Sequence, residues 1–334
     1  MAVDPATQAR PEIVYLLAAL AIGYAEEQLP HGFDVMARRA ELERVRATDP
    51  EQMRREFDQW VEAAPDEGER RVRSMQRTTY DPAFVLRSLQ EELDTYDAVR
   101  AEIPVLRALV RDEDPQVRAA VAYLMAWFPE EAAGSVAVLD ELLGVETVSG
   151  VTATAIVAAG LLSAGELVPL LREHLGRSDP LLRWAAAVAL ARLGVVERDV
   201  VAALAAACAD PPEDGVGFFD GDSRAYAART LALLGDRLPE DAVEGVLRGL
   251  QQSSESAAFP MTTTALRLTF PDGVLRPLPA FEELTELQRR AVRALADLDA
   301  ATWCWADFIE IVRGWNLPAT RAECRAYAGL GPEG

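Results

Sequence analysis

The clearest pattern of apolar and polar positions lies between residues 179 and 194. Leu182, Ala186, Leu190 and Leu193 recur at helical spacing, which gathers them on one face of a single helix. Asp179, just ahead of the run, is a good acceptor for the orphan amides of a first turn, and Pro180 suits that turn because its missing N–H has no partner there. Gly194 supplies the expected stop. The alanines between let a neighbouring helix come close. The same design recurs upstream at Asp114-Pro115-Gln116-Val117-Arg118-Ala119-Ala120, and a looser copy downstream places Asp220, Arg224, Ala227, Leu231 and Gly235 in matching positions. Copies of this kind predict a stack of helical hairpins.

Extended along the chain, the pattern predicts helices over 82–97, 100–111, 115–128, 130–143, 148–162, 165–176, 180–193, 197–209, 223–234, 239–251 and 256–269. Asp114 and Asp179 lie 65 residues apart, room for two units, with Ser149-Gly150 opening a degenerate copy between them. Asp179 and Asp220 lie 41 apart. Ahead of this array, residues 11–28 form a helix that is apolar nearly all round and should be buried, and Leu29-Pro30-His31-Gly32 breaks it. Residues 34–77 carry eleven acidic and ten arginine side chains, and Met53, Phe57, Trp60 and Val61 mark one apolar face of a helix starting at Asp49-Pro50. Solvated helix faces with paired charges are the simpler reading of this region; a docking surface is the other. After the proline turn at Pro277 and Pro279, three more helices are expected at 285–298, 300–315 and 318–328. Their aromatics, Trp303, Phe308 and Trp315, should turn inward and cap the open end of the stack. The expected fold is therefore all-α: an α-solenoid over 81–270, an irregular helical region over 1–80 and a helical cap over 271–334.

Composition narrows the partners. The 334 residues carry 33 basic and 54 acidic side chains, a net charge of −21, and every basic residue is arginine. Such a surface repels phosphate backbones, so nucleic acid is disfavoured and a basic partner is favoured. Cys208, Cys304 and Cys324 are odd in number and far apart, and read as buried thiols of a reducing compartment. The apolar stretch 13–25 has the length of a signal core, but Asp4 and Glu12 spoil the basic flank. Residues 147–165 are uncharged for nineteen positions, yet interspersed Ser, Thr and Gly fit a buried repeat helix better than a membrane span. A cytoplasmic protein with no membrane contact is expected, as a monomer or a weak dimer.

The Asp-Pro-x-x-Arg-x-Ala-Ala pattern resembles HEAT repeats, above all the short HEAT-like kind first associated with phycobilin lyases. Two copies match closely, at Asp114/Arg118 and Asp179/Arg183, and a third loosely, at Asp220/Arg224. The resemblance implies that the aspartates lie at the turns between helices and that Arg118, Arg183 and Arg224 form a structural ladder along the array. It covers roughly 81–270 and speaks to fold far more than to function. The ends, 1–80 and 271–334, resemble the flanks of uncharacterised bacterial HEAT-repeat proteins.

No nucleophile elbow, phosphate-cradling glycine loop or His-x-Glu pair occurs, and the chain has only two histidines, His31 and His174. The leading expectation is a non-catalytic scaffold that binds a protein or peptide on an acidic curved surface, with no cofactor and no metal. Two alternatives stay open: a HEAT-like enzyme, such as a lyase or a peptide- or natural-product-modifying enzyme, and an acidic inhibitor or immunity protein against a basic target. The best local feature is the long link 209–222. Asp214, Asp220 and Asp222 there lack EF-hand spacing. Phe218 and Phe219 either fold back onto the core or stand out, and in the second arrangement Phe218, Phe219, Asp220 and Asp222 are the candidate contacts.

Overall fold

The computed structural model describes residues 10–23, 29, 33–65, 67–78, 81–213, 215–235 and 238–331. Among them are seventeen α-helices and no strand. In chain order these are α1 (Arg10–Ile22), α2 (Val35–Ala47), α3 (Pro50–Glu62), α4 (Glu67–Met75), α5 (Pro82–Leu106), α6 (Pro115–Met125), α7 (Ala132–Val145), α8 (Ser149–Leu161) and α9 (Val168–Leu175). They continue as α10 (Pro180–Arg192), α11 (Arg198–Ala209), α12 (Ser223–Leu233), α13 (Glu240–Gln251), α14 (Ala258–Thr269), α15 (Glu286–Asp297), α16 (Ala306–Gly314) and α17 (Arg321–Tyr327).

Four helices begin on an Asp-Pro pair for one physical reason. Asp49, Asp81, Asp114 and Asp179 are extended, and each carboxylate accepts the N–H of the second helical residue, at 3.2, 3.0, 2.8 and 2.9 Å. Asp179 also accepts the Ser149 hydroxyl at 2.6 Å, which ties the start of α10 to the start of α8. The third copy departs from the expected alignment. Asp222, not Asp220, caps α12, accepting from Ala225 N–H at 2.8 Å. Arg224 is thus the second residue of its helix, whereas Arg118 and Arg183 are the fourth of theirs. Helix caps fall at 114, 148, 179 and 222, intervals of 34, 31 and 43. The ends match too. Fifteen residues after their caps, Ser163 and Gly194 adopt left-handed φ of 59° and 79°, and the following N–H groups, of Ala164 and Val195, reach back to Ala159 and Leu190 carbonyls.

The first helices of successive hairpins, α6, α8, α10, α12 and α14, pack side by side in that order, and α11, α13 and α15 do the same on the other layer. Small residues set the spacing: a Cβ on Gly160 of α8 would lie 2.7 Å from Ala189 Cα of α10. Within this frame the stretch expected as two helices, 82–97 and 100–111, is one helix, α5, that tightens into a 3-10 turn at Arg107–Arg111. The apolar stripe Leu89, Leu93, Tyr96, Val99 and Ile103 runs unbroken through the expected gap, and Pro104 is accommodated near the end. The first helix, expected over 11–28, spans Arg10–Ile22; residues 24–28, Pro30, His31 and Gly32 of that expectation lie outside the described residues. It packs on α5 and α6, and α2 packs on α5 with Arg39 paired to Asp97 at 2.6 Å. Around residues 43–73 the charges pair within helices, as in Arg46–Glu43 at 2.7 Å and Arg73–Glu69 at 2.8 Å. At the far end Trp303 and Phe308 are buried edge to face at 5.0 Å, Trp315 is half-buried, and Trp305 faces outward. Cys208 and Cys324 are buried and Cys304 is exposed, against the expectation of three buried thiols.

The three ladder arginines have different surroundings. Arg118 meets Glu146 at 2.7 Å and also donates to the Asp112 carbonyl at 2.8 Å. It is the last rung of a seam in which Arg100, Arg107 and Arg111 pair with Glu131, Glu131 and Glu141. Arg224 donates to the Gly249 carbonyl at 3.0 Å and to Gln252 at 2.9 Å, crossing to α13 and its end. Arg183 is exposed, with no hydrogen bond or ion pair among the described residues; Asp179, its near neighbour, is occupied by Ser149 and the helix N–H groups.

Glu146 is nearly buried. Burial opposes its charge, but the Arg118 guanidinium and the Val148 and Thr147 N–H groups outweigh that and hold its pKa below the ordinary 4.5. Asp179 is held below 3.8, chiefly by the Ser149 hydroxyl. A depressed carboxylate contributes stability above its unfolded pKa, and that contribution is lost as pH falls through the folded value. Melting temperature should therefore drop as pH is lowered below about 4.5, and drop less steeply in Glu146→Gln. At neutral pH, Arg118→Ala should lose about 2 kcal/mol in chemical denaturation, because Glu146 stays buried without its partner. Arg183→Ala should change stability by less than about 0.5 kcal/mol.

Candidate functional site

The link between α11 and α12 does not leave the body of the protein. Val216 and Phe218 are buried, and Phe218 lies 4.8 Å from the Tyr123 ring and 6.1 Å from Trp127, both near the end of α6. Gly217 permits the approach, since a Cβ there would meet Tyr15 of α1 at 3.0 Å. The expectation that Phe218 contacts a partner is corrected: its ring fills a slot between aromatic residues of the first hairpin. Burying a ring of this size stabilises by roughly 2–3 kcal/mol.

Immediately after Phe218 the backbone turns abruptly. Phe219 and Asp220 hold φ of 57° and 51°, followed by Gly221 at 79°. Only the glycine adopts such angles freely; each non-glycine residue stores about 1 kcal/mol. The turn throws consecutive side chains apart. Phe219 is half-buried, with the Arg229 guanidinium 4.6 Å over its ring and Tyr226 6.2 Å away. Asp220 is exposed and makes no hydrogen bond among the described residues. Asp222, as the cap of α12, is committed to the helix. The structure thus separates the four candidate residues: Phe218 into the core, Asp222 into a cap, and Phe219 with Asp220 at the surface.

Phe219 and Asp220, with Asp222 behind them, form one wall of a cavity of about 370 Å³. Arg229 lies within it, and Ser256, just before α14, with Phe259 and Pro260 from its first turn, forms the facing wall. Phe259 packs edge-on against Trp305 at 6.1 Å, and Trp305 is 47% exposed, so the aromatic surface runs on outside the cavity. Glu255, next to Ser256, is another exposed non-glycine residue with left-handed φ, 48°, and its N–H is held by the Thr302 hydroxyl at 2.7 Å. Sequence reasoning missed Arg229 and Phe259, and Trp305 falls within 271–334, the stretch expected as the cap. The available signal was the polar run Gln252–Ser256 interrupting two helices directly before Phe259-Pro260.

A second cavity, of about 560 Å³, lies where α9, α10 and α11 meet, with Arg183, Asp199, Asp210 and Trp184 around it. His174 lines neither cavity; it is buried in α9 with Nδ1 unpartnered among the described residues, and burial, reinforced by the Arg177 charge, keeps its pKa below the usual value. Of the three aspartates in the link, Asp214 lies outside the described residues, and among the described residues no three His, Cys, Asp or Glu side chains are grouped to hold a metal. No described helix is long and apolar enough to cross a membrane.

Residues 149–217 match the family model for HEAT repeats. The matched stretch runs from the first residue of α8 to the glycine before Phe218, so this part of the array is similar to HEAT repeats, and the cavity begins just beyond the match. No curated protein and no solved structure matches the chain.

The two phenylalanines should respond differently to substitution. Phe218→Ala should destabilise by about 3 kcal/mol, since it empties a buried aromatic slot. Phe219→Ser should leave the circular dichroism spectrum unchanged and the midpoint within about 1 kcal/mol. Asp220→Gly should raise stability by about 0.5 kcal/mol, because it relieves a left-handed side chain while adding freedom to the unfolded chain.

Proposed function

We propose that this protein is a non-catalytic scaffold whose HEAT-repeat body, residues 81–270, binds another protein or peptide, with 1–80 as a flanking helical region and 271–334 as a cap. The observation that carries the reading is the cavity between Phe219 and Phe259, continued outward by Trp305. Half-exposed aromatic rings around a depression, rimmed by charge, are the usual make-up of an interface hot spot. Its wall is largely aromatic and apolar, with Asp220, Asp222, Arg229 and Ser256 as its polar groups, a make-up suited to recognition. The net charge of −21 favours a basic partner over nucleic acid. Its expected setting is the cytoplasm, and the expected free state is a monomer or weak dimer.

The test is affinity capture from the native cell with the tagged protein as bait. Wild type should retain a defined partner, and the pair of substitutions Phe219→Ser and Trp305→Ser should reduce its recovery about tenfold, equivalent to about 1.4 kcal/mol. Equal recovery by a variant with an unaltered melting curve would remove the cavity from the interface.

A further inference from the structure

The link between α11 and α12 has the build of a strap. Its ends meet: a Cβ on Gly215 would lie 2.9 Å from the Gly221 carbonyl oxygen. Residues 215–221 therefore depart and return through one narrow neck, so the segment can swing while the helices on either side stay in place. Of these residues only Val216 and Phe218 are buried. Among the described residues no hydrogen bond joins 215–218 to α1, α6 or α8. The fit beneath is incomplete. A cavity of about 240 Å³ separates Gly215-Val216-Gly217 from the starts of α6 and α8, with Tyr15, Gln116, Ala119, Val151 and Thr154 around it. Trp127, whose ring lies 6.1 Å from Phe218, keeps its buried indole N–H unpartnered among the described residues. At the exit, Phe219 and Asp220 hold left-handed φ of 57° and 51° before Gly221 at 79°. Strain, a void and an unpaired donor count against the seated state, and two apolar side chains hold it.

We propose that residues 215–221 are a displaceable strap, which fills in cis a groove along α6 that a partner segment of the same chemistry enters when the strap swings out. The seated residues describe that segment. Val216 and Phe218 supply an aliphatic side chain and, two residues on, an aromatic ring that rests 4.8 Å from Tyr123. The residue between them is glycine because a Cβ there would meet Tyr15 at 3.0 Å. The partner segment is accordingly aliphatic–glycine–aromatic, bound by burial of its two side chains. This groove is separate from the cavity at Phe259, so the inference goes beyond the scaffold reading and rests on it only for the kind of partner. Displacement costs little backbone bonding, because the strap gives up apolar contacts that the incoming segment replaces in kind.

The experiment uses the full chain carrying Cys304→Ser, which removes the exposed thiol, and Val216→Cys, which places one beneath the strap. Cys208, buried in α11, is the internal reference for opening of the array. Labelling by an aromatic disulfide, read by mass spectrometry of the digested protein, should be at least about tenfold faster at position 216 than at Cys208. Equal rates would mean that the segment opens only with the array, and would overturn the proposal. The peptide Gly-Val-Gly-Phe-Ser at about 1 mM should raise the rate at position 216 at least about threefold, by holding the groove while the strap is out. Gly-Ser-Gly-Ser-Ser should leave it unchanged. No acceleration by the first peptide, or equal acceleration by both, would likewise overturn the proposal. Wild type gives a reading free of substitutions: chymotrypsin should cut after Phe218 before it cuts within α6 or α10, and simultaneous cuts would count against the strap. A protein that captures its partner through Phe219 and Trp305, while position 216 reacts no faster than Cys208, would leave the scaffold reading standing and remove this one.

Discussion

Everything in the array depends on how near two successive first helices can come. At the crossing of α8 and α10, Gly160 faces Ala189 with no room for a methyl group. Gly245 and Gly249 of α13 play the same part against the Ala205 and Cys208 backbone of α11. Glycine within a helix is unfavourable by about 1 kcal/mol relative to alanine, so its use here reflects a gain in contact that a larger residue would forfeit. The alanine-rich helices α8 and α10 follow from the same requirement: with both faces against neighbours, they are buried nearly all round and show little amphipathic pattern.

Close packing leaves the polar groups to the edges, and there the protein is systematic. Carboxylates begin α3, α5, α6, α10 and α12, left-handed residues end α8 and α10, and a seam of arginines on α5, its 3-10 extension and α6 meets Glu131 just before α7, Glu141 on it and Glu146 just after it. A chain with a surplus of acids thus spends a large share of its arginines internally. The remaining acidic surface, including Asp140, Glu166, Asp220 and Glu255, is unopposed by local partners among the described residues.

How legible this was from sequence depended on the range of the interaction. Caps, stops and helical faces are fixed within four or five residues, so Asp114, Asp179 and Gly194 announced their roles directly, and the hairpin stack followed. Asp220 misled for a local reason: Asp222, two residues later, offers the same carboxylate, and only the backbone turn decides which one caps. Arg183 matched Arg118 in the repeat pattern but lacks an acid in the place that Glu146 fills for Arg118. The candidate site was half visible. The link 209–222 stood out by length, yet the fate of Phe218 was set by Tyr123 and Trp127, some ninety residues away, and the opposite wall of the cavity comes from residues 256–260. Pairwise proximity across that distance leaves no trace in spacing or periodicity.

The reach of Phe218 back to α6 changes the kind of object this stack is. An open array whose units touch only their neighbours behaves as a one-dimensional chain of coupled segments, free to fray from either end and to lose repeats one at a time. Here the ring inserted against Tyr123 and Trp127 passes over two intervening hairpins and closes a circuit through them, and Arg229 draws Leu29 into the same circuit. Units between residues 115 and 233 cannot open separately without first withdrawing that ring. The middle of the protein is thereby converted from a string into a single cooperative block, with the strained turn at Phe219–Asp220 as its clasp.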